Sequence, residues 1–218
     1  MRFGIIGTGT VGRTLATRLV GLGHEVTLGS RTKDNPSAVS WADQSGPHGH
    51  AGTFEEAAAF GEAVVNATGG TVSLQALRQA GAERLAGKVL IDVSNPLVFS
   101  ATGEVSLAPV NTDSVGEQLQ REFPDTRVVK ALNTLAAPLM VDPGRVPGEH
   151  QVFVAGEDPE AKALVRGVLE QFGWPDAAVI DLGGIDAARG TEMLMPFWLK
   201  LMGHFGHTDF NYSIRSAG

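Results

Sequence analysis

A chain of 218 residues with 43% hydrophobic content can bury a sizeable core, as one large domain or two small ones. Its net charge of −7 offers no basic footprint for nucleic acid or an anionic membrane surface. The absence of cysteine excludes disulfides, thiolate catalysis, zinc–thiolate sites and iron–sulfur clusters, and is compatible with a reducing cytosol.

The first thirty-one residues read as strand, glycine turn, helix, strand. Met1–Ile6 runs into Gly7-Thr8-Gly9-Thr10-Val11-Gly12, and Val11, Leu15, Leu19 and Leu22 then form an apolar face at helical spacing. Gly23-His24 closes that helix, and Glu25–Leu28 is a second strand ending in Gly29-Ser30-Arg31. A lone G-x-G-x-x-G means little in a chain with 28 glycines. Placed between a strand and a helix, it predicts a dinucleotide site. Gly7 permits the tight turn, Gly9 lets backbone approach a pyrophosphate, and Gly12 lets the helix pack closely with its free N–H groups aimed at the phosphates.

Pro36 opens a short predicted helix through Ala42, and residues 44–49 are a loop. A brief strand, His50–Thr53, precedes an alanine-rich helix, Phe54–Phe60. Glu62–Ala67 is a fourth strand, followed by Thr68-Gly69-Gly70 and a helix near Ser73–Ala80. Lys88–Asp92 is the fifth strand. Residues 93–112 show no periodicity, and irregular chain of that length is usually functional or mobile. A helix over Ser114–Phe123 and a strand over Arg127–Ala131 follow. The turn-rich passage Asn133–Glu149 holds one short helix around Ala136–Val141. Gln151–Ala155 is a seventh strand. Asp158-Pro159-Glu160 then starts an amphipathic helix with an N-cap acid, Pro at N1 and an early Glu. Ala177–Asp181 is an eighth strand, a last helix spans about Ala187–Met202, and Phe210–Ile214 reads as an edge strand. Strands alternate with helices throughout, so the fold class is α/β: a Rossmann-type, doubly wound, mainly parallel sheet. One domain is expected over 1–218, with a nucleotide-binding core over 1–132 and a small elaboration over 133–218. No run approaches the ~18 apolar residues of a membrane span, and the start lacks the features of a signal peptide. A soluble cytoplasmic protein with no nucleic-acid or membrane partner is expected.

NAD-preferring members of this fold end the second strand in Asp or Glu, which holds the ribose 2′-hydroxyl. Here Ser30 and Arg31 stand at that point, with Lys33 just beyond. A carboxylate would repel a 2′-phosphate, whereas a hydroxyl and a guanidinium bind it by charge-assisted hydrogen bonds. NADP(H) is the expected nucleotide. Asn133, just past the end of a parallel strand, is placed either to bond the nicotinamide amide or to cap the next helix.

The chain resembles the NADPH-dependent coenzyme F420 reductases and their bacterial relatives, whose fold also forms the cytosolic domain of the STEAP metalloreductases. The resemblance spans nearly the whole chain. It is carried by the glycine turn, by Leu22-Gly23-His24-Glu25-Val26 leading to Gly29-Ser30-Arg31, and by Asp92-Val93-Ser94-Asn95-Pro96. Val128–Thr134 and Glu192-Met193-Leu194-Met195-Pro196 complete it. It implies direct hydride transfer between nicotinamide and a deazaflavin (coenzyme F420) or flavin-like ring. It implies contacts from Thr8, Gly9, Thr10 and Val11 to the pyrophosphate, from Ser30 and Arg31 to the 2′-phosphate, and from the backbone near Ala137 to the nicotinamide carboxamide. Archaeal members tend to carry Ile-Pro where this chain has Thr68-Gly69-Gly70, a segment that lies beside the cofactor and bears on the acceptor.

Direct hydride transfer needs two rings in contact rather than an acid–base pair. Consistently, neither a Ser/His/Asp triad nor a Tyr-x-x-x-Lys pair is present, and no catalytic side chain is assigned. Lys130 lies in a predicted buried strand and is expected to emerge at the strand end or pair with an acid. His48, His50, His204 and His207 lack the companions of a metal site. The last helix is apolar nearly all round, so it should be buried on both sides, against the sheet and against a partner subunit or the acceptor. A homodimer is expected. Two other readings stay open: a ferric or quinone reductase using free flavin, and a non-catalytic NADP(H)-binding sensor.

Overall fold

The computed structural model describes residues 1–217. Short apolar runs alternate with amphipathic ones to give β1 (Arg2–Ile6), α1 (Thr10–Gly21), β2 (Glu25–Ser30), α2 (Pro36–Gln44), β3 (Gly49–Thr53), α3 (Phe54–Phe60) and β4 (Ala63–Asn66). Next come α4 (Gly70–Ala80), α5 (Ala82–Leu85), β5 (Val89–Asp92), β6 (Leu97–Phe99), β7 (Val105–Leu107), α6 (Val115–Glu122) and β8 (Arg127–Ala131). The chain continues through α7 (Ala137–Met140), β9 (Val152–Ala155), α8 (Pro159–Phe172), β10 (Val179–Asp181), α9 (Ala188–Met193) and α10 (Met195–Phe205).

Eight strands form one sheet in the order β10-β9-β8-β5-β4-β1-β2-β3. From β3 to β8 every neighbouring pair is parallel. β9 runs antiparallel to β8, and β10 lies parallel to β9. Both faces are covered, so alternate residues of one strand enter different cores. Phe3 and Ile5 pack with Leu15 and Leu19 of α1 and Val165 and Leu169 of α8. Ile6 packs on the other face with Ala57 of α3, Leu77 of α4 and Leu119 of α6. This two-sided burial is why the strands read as continuous apolar runs.

Helix starts follow local chemistry. Asn35 caps α2, Thr53 and Glu56 form a complete capping box on α3, and Ser114 caps α6. Asp158 accepts from Glu160 N (2.8 Å) and Ala161 N (3.0 Å) at the start of α8. Asp158→Ala should therefore cost about 1 kcal/mol, read as a lower urea midpoint with an unchanged slope.

Three expectations need correction. The passage 93–112 is not structureless: β6 and β7 pair antiparallel, with Leu97 opposite Leu107 and Phe99 opposite Val105. Strands of three residues are too short to show alternation. The last helix is two helices broken at Leu194, because Pro196 removes a backbone donor and crowds the preceding turn. Phe210–Ile214 is not a strand. β9 already has β8 and β10 as neighbours, and this segment makes one backbone bond beside the sheet, from Gln151 N to Tyr212 O at 3.0 Å. No helix among the described residues is long and apolar enough to cross a membrane.

Candidate active site at the carboxyl edge of the sheet

The chain moves outward from β1 to β2 and β3, then returns to the other side of β1 with β4. Ligands of such sheets bind in the crevice at this reversal, outside the carboxyl ends of the strands. The helices that leave β1 and β4 there, α1 and α4, both start without a side-chain cap, at Gly9 and Gly69. Those leaving β2 and β3 are capped by Asn35 and Thr53. At α1 the Thr10, Val11 and Gly12 N–H groups are left unclaimed, with no acid in that first turn, and suit an anion such as a pyrophosphate. At α4, by contrast, Gly70 N and Val72 N are already bonded, to Asn95 O and Gly69 O.

Gly7 sits at φ 116°, a conformation side chains avoid, and its N–H bonds Gly29 O at 3.0 Å, tying the turn to β2. A Cβ on Gly12 would lie 2.0 Å from Gly7 O, so only glycine lets the first turn of α1 close on this loop. Gly9 is exposed, with nothing within 4 Å of a Cβ position. Arg13 Nη1 donates to Thr8 O and braces the turn, a contact no sequence signal announced. Thr10 is exposed, and Thr8 and Val11 are half-buried. Gly12→Ala is expected to weaken NADPH binding by about tenfold or more, measured by titration of cofactor fluorescence.

At the end of β2, Ser30 is buried, and its Oγ donates to Thr32 O. Arg31 is exposed and, among the described residues, makes no ion pair or hydrogen bond. Lys33 differs. Its Nζ lies 2.9 Å from Glu56 Oε1, because the pairing of Ser30 with Thr53 brings the start of α3 beside this loop. The Thr53 backbone bond and the Lys33 pair hold the Glu56 carboxyl below the usual range. Arg31 is thus the unpaired cation of the corner and Lys33 is tethered.

On the other side of the crevice, Thr68 Oγ1 donates to Asn66 Oδ1 (2.7 Å), while Gly69 is exposed. Gly70 N donates to Asn95 O at 2.9 Å. Asn133 is buried and forms a reciprocal pair with Asn95: its Nδ2 donates to Asn95 Oδ1 (2.9 Å) and Asn95 Nδ2 donates to Asn133 O (2.7 Å). The capping alternative for Asn133 fails, because Ala136 occupies the N-cap of α7. Leu132 before it sits in the left-handed region at φ 62°, a strained turn off β8. Ala137 is buried as the first residue of α7. All the sequence-predicted site residues thus lie in the strand ends, loops and helix starts along one edge.

Lys130 pairs with acids, two of them. Its ammonium lies 2.6 Å from Asp92 Oδ2 and 2.7 Å from Glu192 Oε1, and donates to Ser94 O at 2.8 Å. Burial alone would depress its pKa, but the two carboxylates outweigh burial and raise it. Bonded to Ser94 O and flanked by two carboxylates, it is a charged brace.

α10 is not buried on both sides in the single chain. Met195 and Trp198 are buried with Phe210 in a small third core, joined by Leu97, Leu107, Ala136 and Tyr212. Phe197 is 54% exposed even though its ring stacks on Tyr212 at 6.2 Å. Trp198 Nε1 and Tyr212 Oη are buried without a partner among the described residues.

The family model described as NADP oxidoreductase, coenzyme F420-dependent, matches residues 2–96. The F420-dependent NADP reductase of Methanothermobacter marburgensis is 31% identical over 225 residues, covering 97% of this chain and 93% of that protein. A crystal structure from Arthrobacter sp. FB24, provisionally named an F420-dependent NADP-reductase, is 51% identical with a TM-score of 0.92, covering 98% and 99% of the two chains. Metalloreductase STEAP3 of Rattus norvegicus is 33% identical over 201 residues, and the chain spans 38% of its length. On this glycine turn, this uncapped crevice and these full-length likenesses, the chain belongs to the coenzyme F420-dependent NADP reductase family and is an NADP-dependent oxidoreductase.

Proposed function

We propose that the protein passes a hydride directly between NADP(H) and the deazaflavin ring of coenzyme F420. What carries the reading is the meeting of two surfaces at Ala136–Ala137. Ala137 is the expected contact of the nicotinamide carboxamide, and Ala136 packs into the third core with β6–β7 and α10. A flat heteroaromatic acceptor therefore has an apolar surface next to the nicotinamide end of the crevice. The unpartnered Trp198 Nε1 and Tyr212 Oη fit a ring that carries carbonyl acceptors.

In this reading the first turn of α1, with Thr8, Gly9, Thr10, Val11 and Gly12, holds the pyrophosphate. Ser30 and Arg31 hold the 2′-phosphate, assisted by Lys33 after exchange from Glu56. Thr68 and Gly69 border the nicotinamide with Asn133 and Ala137. NADPH held there would supply a hydride from its ring C4, that C–H bond breaking as one forms on the acceptor, whose ring nitrogen would take a proton from solvent, leaving NADP⁺. The side chains hold the rings in contact and exclude water, and positioning supplies most of the acceleration. A second reading, reduction of ferric iron or a quinone through free flavin, is favoured by the likeness to STEAP3, which is named a metalloreductase. The outward face of α10 suits contact with a second subunit, and a cytoplasmic homodimer is the setting we propose.

The test is NADPH oxidation with coenzyme F420, FMN, FAD and a quinone supplied separately. Turnover fastest with F420 is expected. Turnover with flavin alone would favour the second reading. NADPH binding without turnover on any acceptor would overturn the proposal in favour of a sensor.

A further inference from the structure

We infer that Glu192 and Lys130 are positioning residues for hydride transfer, because a buried polar chain joins the loop at Thr68 to α9, the helix that leads into α10. The links run without a gap. Thr68 Oγ1 donates to Asn66 Oδ1 (2.7 Å), and Asn66 Nδ2 donates to Asp92 Oδ1 (2.8 Å). Asp92 pairs with Lys130 (2.6 Å), and Lys130 with Glu192 (2.7 Å). Glu192 then accepts from Val115 N (3.0 Å) and Gly116 N (3.2 Å), capping α6. Asn66, Asp92, Lys130 and Glu192 are each at most 2% exposed.

Burying two carboxylates around one ammonium is a poor way to gain stability, since well-packed apolar side chains of similar volume often do as well. Ionic and hydrogen-bonded links add direction and fixed separation instead. Glu192 is where that matters. It lies two residues before the break at Leu194, so it sets the point from which α10 departs. At the other end, Thr68 borders the crevice beside Gly69, the uncapped start of α4. The chain therefore references the acceptor-side surface to the cofactor side through the interior of the sheet. A misplacement of about 1 Å between reacting groups can cost on the order of a hundredfold in rate.

This inference rests on the proposed placement of the acceptor against α10. The test compares the full-length wild type with Glu192→Gln, Thr68→Val and the double variant at saturating NADPH. Three quantities are measured: kcat with whichever acceptor the wild type reduces, the Kd for NADPH, and amide hydrogen exchange across residues 188–205. Glu192→Gln should lower kcat by about 10- to 100-fold while the Kd for NADPH stays within about threefold. NADPH should slow exchange in 188–205 of the wild type and not in either single variant. The kcat losses of the two changes should be less than additive, as for residues in one network. Thr68→Val keeps the test alive if Glu192→Gln does not fold, since it changes a half-buried residue and leaves the ionic cluster intact. The exchange readout decides there, because Thr68 itself borders the nicotinamide and also bonds Ser73 Oγ (2.9 Å). Wild-type kcat in folded Glu192→Gln, or NADPH-induced protection that survives both changes, would overturn the inference. A wild type that turns over no acceptor would count against the proposed function alone, and the exchange result would still decide the coupling.

Discussion

Lys130→Met is expected to lower folding stability by about 3–5 kcal/mol, the cost of removing one partner from a buried ionic cluster. In a chain of this length that corresponds to a Tm lower by roughly 6–20 °C. The deficit arises from what is left behind. Asp92 and Glu192 would both remain buried with no cation between them. Burial already raises the Glu192 pKa above its ordinary 4.5, with Lys130 opposing the rise. A carboxyl whose folded pKa is raised contributes most to stability while protonated, below about 4.5, and loses that contribution as pH rises through its folded pKa. Without Lys130 the folded pKa climbs further. The variant should therefore come closest to the wild type in mildly acidic buffer and fall further behind as pH increases. Urea unfolding of both proteins across that range measures it. A loss below about 1 kcal/mol, or one independent of pH, would show that the cluster is not the buried charge network its geometry describes.

Arg31→Ala should weaken NADPH binding by about 1.5–3 kcal/mol, the scale of a hydrogen bond to a charged group, and leave NADH nearly unchanged. That is roughly a 10- to 150-fold change in Kd for one cofactor only. The structure sharpens the expectation, because the two cations of the corner are not equivalent. Arg31 is exposed and unpaired among the described residues, whereas Lys33 is held by Glu56 at 2.9 Å. Lys33 must give up that pair to reach a phosphate, so Lys33→Ala should cost less than Arg31→Ala. Calorimetric titration with both cofactors decides it. Equal losses for NADPH and NADH would remove Arg31 from the 2′-phosphate site.

How far the sequence speaks depends on the range of the interaction that sets each feature. α3 is legible to the residue because its signals are local: Thr53 and Glu56 make the capping box and Gly61 follows the last turn. β8 is legible because a buried strand of a parallel sheet is one apolar run between turn signals. The edge location of Gly7–Gly12, Ser30–Arg31 and Thr68–Gly69 follows from the doubly wound order alone. Long-range partners leave no such trace. An acid beside Lys130 is foreseeable from the cost of burying an ammonium. That Glu192 is one of two such acids depends on how α9 returns to the sheet. The pairing of Asn95 with Asn133 likewise joins two loops that neither loop's sequence connects. Pro196 stood in plain view as a helix breaker, yet the apolar run around it reads as one helix. The tertiary packing of Met195 and Trp198 onto β6–β7 and the C-terminal segment explains why the second half turns away.

Direct hydride passage between two rings held at this edge, as proposed, is tested by isotope transfer. NADPH deuterated at the transferring position of C4 would be oxidised with coenzyme F420 in ordinary water, and the reduced F420 analysed by mass spectrometry. The predicted result is one deuterium on the reduced ring for each NADPH consumed. F420 that is reduced without deuterium, or not reduced at all while NADPH binds, would rule out direct transfer to F420.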